Sequence, residues 1–370
     1  MNGKNRQTSL KTKSKKRMYL SELLAKWKSE RPEMLPYDSE AFETSLFPEN
    51  RNKYTLAIKL LAFVGAFIGA IMFLGVLFIL EFFKSEETVL FIGVACLVAS
   101  LLFSRNRHVE NVMFEPITLV LGIMGQLITP WGIVAVFELK FSSFYPFFSI
   151  TLIMASVVLV VSKNIILRYF ASLTVCLSIL GMIWQSKQFD LVHILMAFVS
   201  ALFIGMWLKE PKILSRYNFL SDYFNPVGFG LLTAMILILS ITVNREFSQQ
   251  YFTHWWISSI IFLVLLLYVT WDTLQQLDLQ KWFWLVCVVI LLLLLPTISA
   301  PGIVASVVIL VLGFRVGHSY ISMIGIVSIT YFMIAFYYNL NTTLLLKSIY
   351  LMVSGAFFIA SFFILKKQLK

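Results

Sequence analysis

The feature that most constrains this chain is the length of its apolar runs. Stretches such as "VCVVILLLLLP" (286–296) recur along the sequence with only short polar gaps between them. A helix needs about 20 apolar residues to cross the hydrocarbon core of a bilayer. In lipid, only helices and closed barrels satisfy their own backbone hydrogen bonds. Barrel strands alternate apolar and polar residues, and these runs do not. Composition agrees: 13% of the residues are charged, against about 25% in soluble domains. The expected fold is an all-α polytopic transmembrane helix bundle.

Hydropathy predicts about 12 spans, at 56–80, 88–103, 112–129, 145–161, 165–184, 190–207, 227–243, 255–271, 282–298, 301–314, 317–337 and 342–365. The ninth and tenth are joined by "TISAPG" (297–302) and have a re-entrant hairpin as an alternative. That would leave ten spans and keep the C-terminus on the same side. Orientation follows from the positive-inside rule. The gaps on one face, with the tails, carry 24 Lys and Arg; those on the other carry 4, and Lys59 and Lys347 fall within spans. Both termini are therefore expected in the cytoplasm, and the chain in the cell inner membrane. The formal charge of +11 is this asymmetry, so nucleic acid is not an expected partner; the lipid bilayer is.

Residues 1–54 are polar and precede the first apolar run, which reads as a retained span rather than a cleaved signal. They are expected to form a cytoplasmic tail, with 55–370 as the membrane domain. Within the tail, "KTKSKKR" (11–17) suits anionic lipid head groups. The following "MYLSELLAKWK" (18–28) sets Leu20, Leu23, Leu24 and Trp27 at helical spacing. It reads either as a helix on the membrane surface or as a partner-docking or solvated helix. The acidic stretch 30–49, with Pro32, Pro36 and Pro48, reads as a linker.

Polar residues inside the spans are costly and are the natural place to look for function. Lys347 lies five residues into the last span, near Tyr337, Tyr338 and Asn339. Its stem lets it snorkel to the outer interface, or its ammonium faces an outward-open cavity. Gln126 and His193 are expected at that same outer level, completing a candidate polar cluster. At the inner face, Asp272, Arg315 and His318 form a second candidate group. For each of these residues a boundary or packing role competes with the functional one. Gly65, Gly69 and Ala70, with Gly313 and Gly317, follow the small-xxx-small spacing of close helix contacts. Gly/Pro pairs predict helix breaks at 130–132 and 296–302. "ITPWGIVA" (128–135) and "ISAPGIVA" (298–305) share five of eight residues, a faint echo of the kind left by duplicated halves.

Cys96, Cys176 and Cys287 fall inside apolar runs without CxxC pairing and read as packing residues. No HExxH, Walker A or Cys/His cluster is present in the sequence, and no gap is long enough for an outer catalytic domain. No cofactor, metal or enzymatic activity is expected.

Several segments carry a family likeness. In "APGIVASVVILVLGFRVGHS" (300–319), Ala300, Pro301, Gly302, Gly313, Phe314 and Arg315 stand out. In "FYYNLNTTLLLKS" (336–348), Tyr337, Tyr338, Leu340, Lys347 and Ser348 do so, and the opening span "IKLLAFVGAFIGAIMFLGVLF" (58–78) adds to the pattern. In these the chain resembles the uncharacterised bacterial membrane family called domain of unknown function four-four-zero-one, related to the two-one-five-seven group. Val316, between Arg315 and Gly317, departs from its pattern. The resemblance implies a multi-pass inner-membrane protein, accompanied by a small membrane-anchored partner with a GDY-type motif, and implies no activity. Two roles follow as expectations: a non-catalytic membrane subunit acting with a membrane partner, or a transporter-like or lipid-handling bundle with an outward polar cavity.

Overall fold

The structure is a computed structural model. It describes residues 85–105, 114–139, 144–241, 256–276, 280–294 and 300–339, with His254, Asp278 and isolated positions within 65–79 and 345–359. The chain divides into two units, Met1–Lys59 and Leu60–Lys370, and every described residue belongs to the second. The tail, Lys59 and Lys347 lie outside the described residues.

Eleven helices appear among those residues: α1 (Glu86–Arg105), α2 (Phe114–Val136), α3 (Tyr145–Val161), α4 (Ile165–Ser186), α5 (Leu191–Leu208), α6 (Glu210–Arg216), α7 (Ser221–Ile241), α8 (Ile257–Gln276), α9 (Phe283–Leu294), α10 (Pro301–Val316) and α11 (Ser319–Asn339). Each expected span between residues 88 and 337 corresponds to one of them. Seven are long and apolar enough to cross a membrane. At 17 and 16 residues, α3 and α10 measure about 25 Å by the helical rise, slightly short of the ~30 Å hydrocarbon core. The fold is an all-α polytopic bundle. Its outer surface is apolar, with Phe91, Ile153, Phe198, Val264, Met323 and Val327 all exposed, as lipid contact requires.

Local chemistry sets the helix ends. Asn164 caps α4, its Oδ1 accepting from the amides of Ile166 at 2.8 Å and Leu167 at 3.3 Å. Pro301 opens α10 at a position where a missing amide costs nothing. Gly317 closes that helix with a left-handed φ of 74°. The amide of His318 reaches back to the carbonyl of Gly313 at 3.0 Å, a Schellman closure. Gly317 is thus a turn residue rather than a packing one, and a Cβ there would meet nothing within 4 Å. Ala70 lies outside the described residues, and a Cβ at Gly65 or Gly69 meets no described residue within 4 Å, whereas Gly313 makes a close contact against the backbone of Ser322.

Two prolines differ from expectation. Pro130 lies inside an unbroken α2 that continues to Val136, and the expected break at 130–132 is absent. Pro226 lies inside α7, which begins at Ser221, six residues earlier than the expected span. A helical proline leaves the carbonyl four residues back without its amide partner. For Pro226 that carbonyl belongs to Asp222, and the Arg168 side chain donates to it at 2.9 Å. A long-range bond therefore replaces the local one, and the helix runs on. The echo between 128–135 and 298–305 does not extend to local structure: the first segment is helix interior and the second starts a helix.

Packing is pairwise at the periphery and dense in the centre. α1 pairs with α2, α3 with α4, and α10 with α11, while α7 joins α4 to α5, and α8 closes on α10. Where α5, α7, α8 and α10 meet, Phe203, Trp207, Ile238, Phe262, Leu266 and Ile309 are sealed from the surface.

Candidate functional site

Three polar groups stand out against this apolar interior. The first lies at the end of the bundle that gathers Arg105, Lys163, Arg168, Lys209, Lys212, Arg216, Lys281 and Arg315; among the described residues only Lys187 lies at the opposite end. Arg315, in the last turn of α10, donates from Nε at 3.0 Å and from Nη2 at 2.6 Å to Oδ2 of Asp272 on α8. Both side chains are partly buried, at 14% and 33% exposure, and the pair ties α10 to α8. His318 follows in the turn, and its ring packs edge-on against Trp207 at 5.0 Å and Phe229 at 5.7 Å. Trp207 also meets Phe224 at 5.2 Å. Within this aromatic box, His318 Nδ1 and Trp207 Nε1 are buried without a hydrogen-bond partner. Buried polar atoms are rarely left so, and here two of them lie in adjoining rings.

The second group lies at the opposite end. His193 Nδ1 is 2.5 Å from Ser258 Oγ on α8, and its Nε2 is 4.0 Å from Asp190 Oδ1 one turn earlier. The other carboxylate oxygen of Asp190 is 3.2 Å from Nδ1 of His254. The four residues tie the start of α5 to the start of α8. Ser258 is buried and also points at Met196 Sδ, 3.4 Å away. Among the described residues the chain of contacts runs from the exposed His254 and Asp190 inward to the thioether of Met196.

The third group is Gln126 with Thr129, one turn apart on α2. Both are buried, and Gln126 Nε2 and Thr129 Oγ1 have no hydrogen-bond partner. Because α2 runs through Pro130 to Val136, Gln126 lies 12 residues from one end and 10 from the other, about 15 Å or more inside by the helical rise. It is mid-bundle, not at the level of His193 as the shorter span implied.

Of the expected cluster, Lys347 lies outside the described residues, and Tyr337, Tyr338 and Asn339 stand apart from Gln126 and from His193. Gln126 is on α2, His193 on α5 and the tyrosines on α11, and no close helix pairing joins these three. Tyr337 and Tyr338 contact each other at 5.7 Å, Tyr338 is exposed, and Asn339 donates its amide to Ala335 of its own helix at 2.8 Å. At the other end, Arg315 and Asp272 do meet, with His318 in the adjoining turn. Sequence reasoning missed Trp207, Phe229, Asp190, His254 and Ser258. The one local signal was the Asp190–His193 spacing of three; the rest are joined across tens of residues. Cys96, Cys176 and Cys287 are buried on three different helices. Among the described residues no group of three His, Cys, Asp or Glu is placed to hold a metal ion.

The family described as "Domain of unknown function (DUF4401)" matches residues 55–368. The chain belongs to that family. The match takes in all three polar groups of this DUF4401 chain, together with the Arg315 turn and the tyrosine pair. No curated protein and no solved structure matches the chain.

Proposed function

We propose that this chain is a non-catalytic membrane subunit that acts with a small membrane-anchored partner. It would lie in the cytoplasmic membrane with its arginine-rich end, and both termini, on the cytoplasmic side. The observation that carries this reading is the filled seam at the centre of the bundle. Transporters hold substrate near the bilayer midplane, at interrupted helices that line a cavity. Here α5, α7, α8 and α10 close on Phe203, Trp207, Ile238, Phe262 and Leu266, each sealed from the surface, and α5, α7 and α8 each run through it as one helix. Most described side-chain hydroxyls bond a carbonyl of their own helix, as at Thr151, Thr174, Ser178, Thr233 and Ser306. The ionic pair Asp272–Arg315 holds one helix to another. Such polar groups serve assembly rather than chemistry.

The second reading, a transporter-like or lipid-handling bundle, has one observation in its favour: Gln126 and Thr129 leave two polar atoms unmet deep in α2. The two readings separate by reconstitution. The purified chain alone in proteoliposomes is expected to move no solute or lipid. Deletion of its gene is expected to reproduce the phenotype of deleting the partner's gene, with the two products co-purifying in fixed ratio. Transport or turnover by the chain alone would overturn the subunit reading.

A further inference from the structure

Arg168, a guanidinium cation, is 5% exposed and has no carboxylate partner among the described residues. Its Nε donates to the carbonyl of Ser162 at 2.6 Å and its Nη1 to the carbonyl of Asp222 at 2.9 Å. Asp222 offers its backbone oxygen, not its acid group. The Tyr223 ring covers one face of the guanidinium, 3.9 Å from Cζ, and is itself fixed by its hydroxyl donating to the carbonyl of Val160 at 2.9 Å. These contacts satisfy hydrogen bonds but supply no counter-charge. A buried cation without one is costly. Nη2 makes no hydrogen bond among the described residues and is not wholly sealed from the surface, so one edge of the fork is left for a further acceptor.

What lies around that edge narrows the ligand. Lys163 is exposed and directly follows Ser162, whose carbonyl Arg168 holds. The amides of Ile166 and Leu167 in the first turn of α4 are already taken by Asn164, and the two side-chain cations are the charged donors. Above them, Ile153, Val157 and Val160 form an exposed apolar stripe along α3, joined by Val161 and Ile165 at the turn. A free anion has no use for such a stripe, whereas acyl chains do.

We propose that Arg168 and Lys163 bind the phosphodiester head group of an anionic phospholipid, whose chains lie along α3. The guanidinium fork suits two phosphate oxygens, Lys163 adds a point charge, and Tyr223 holds the fork in place. The lipid supplies the counter-charge that no described residue provides. It also fills the junction between the α3–α4 turn and the start of α7, the same junction that repairs the helix at Pro226.

The test is native mass spectrometry of the full chain in detergent with an equal mixture of phosphatidylglycerol and phosphatidylcholine. Variants are compared with the parent, so the basic N-terminal tail contributes equally throughout. Arg168→Gln is expected to lower retained phosphatidylglycerol about tenfold, the loss of a charged hydrogen bond. Lys163→Gln is expected to lower it about threefold, as an exposed charge does. Lys187→Asn, at the opposite end and compatible with the left-handed backbone there, leaves it unchanged. Melting without added lipid checks the fold of each variant. If Arg168→Gln does not fold, Lys163→Gln decides, because that side chain is exposed and carries no fold contact. Wild-type retention in Lys163→Gln, or in a folded Arg168→Gln, would overturn the site. Displacement of the lipid by inorganic phosphate alone would assign it to a soluble anion and overturn the lipid reading.

Discussion

The α1–α2 pair and the central seam of α5, α7, α8 and α10 solve one problem by opposite means. In the pair, glycines bring two backbones together: a Cβ at Gly132 would sit 2.6 Å from the Cα of Leu90, and one at Gly125 would sit 2.7 Å from the backbone nitrogen of Leu97. Gly93 faces Thr129 in the same way. In the seam, large side chains fill the space, with Phe203, Met235, Ile238 and Phe262 buried. Lipid offers no hydrophobic drive between helices, so association rests on packing and hydrogen bonds. Close approach maximises backbone contact and tolerates no added atom. Filling tolerates substitution better, because neighbouring side chains relax.

That contrast can be broken. The largest effect is expected from Gly132→Val, which forces α1 away along its length. About 3 kcal/mol of lost stability, read as unfolding in detergent, is the upper range for overpacking. Gly205→Val is the control, since a Cβ there meets nothing within 4 Å; equal losses in the two would refute the close-approach account. Phe203→Ala comes next. Its unfolded reference is already in lipid, so mainly the cavity term remains, about 2 kcal/mol. A loss larger than that of Gly132→Val would reverse the ranking of the two interfaces.

Smaller effects sharpen the comparison by adding the polar ties. A double-mutant cycle on Asp272 and Arg315 is expected to give about 1 kcal/mol of coupling, since Asp272 is one-third exposed. Zero coupling would mean that the aromatic box, not the ion pair, holds that end. Ser258→Ala, which removes the contact to His193, is expected to cost about 0.6 kcal/mol, typical of hydrogen bonds between membrane helices. A cost above about 2 kcal/mol would exceed the range for such bonds and point to a role for the histidine end beyond packing.

Much of the bundle was legible because hydropathy is a property of consecutive residues. The spans at 145–161, 165–184 and 190–207 lie within two residues of α3, α4 and α5 at both ends. At Pro226 a residue far along the chain repairs a local rule. Hydropathy starts the expected span at 227, one residue after Pro226, and nothing nearby can bond the carbonyl of Asp222 that the proline leaves free. Arg168, more than fifty residues earlier, does so. Pro130 read as a break, and that displaced Gln126 to the surface level in the reading and put it beside His193. The inner-face group fared better: Asp272 and Arg315 were each placed at the same face by counting spans, and an ion pair needs little more than that.

By itself, the sequence determined that this is a helical membrane protein, where most of its helices run, and that its cations collect at one end, because transfer into lipid is additive along the chain. Only the tertiary structure decided which polar residues meet. It joined Arg168 to Asp222, His193 to Ser258 and Trp207 to His318, and kept the tyrosines of "FYYNLNTTLLLKS" apart from Gln126 and His193. Those outcomes depend on helix rotation and helix neighbours, which follow from glycine contacts and side-chain shape rather than from hydropathy.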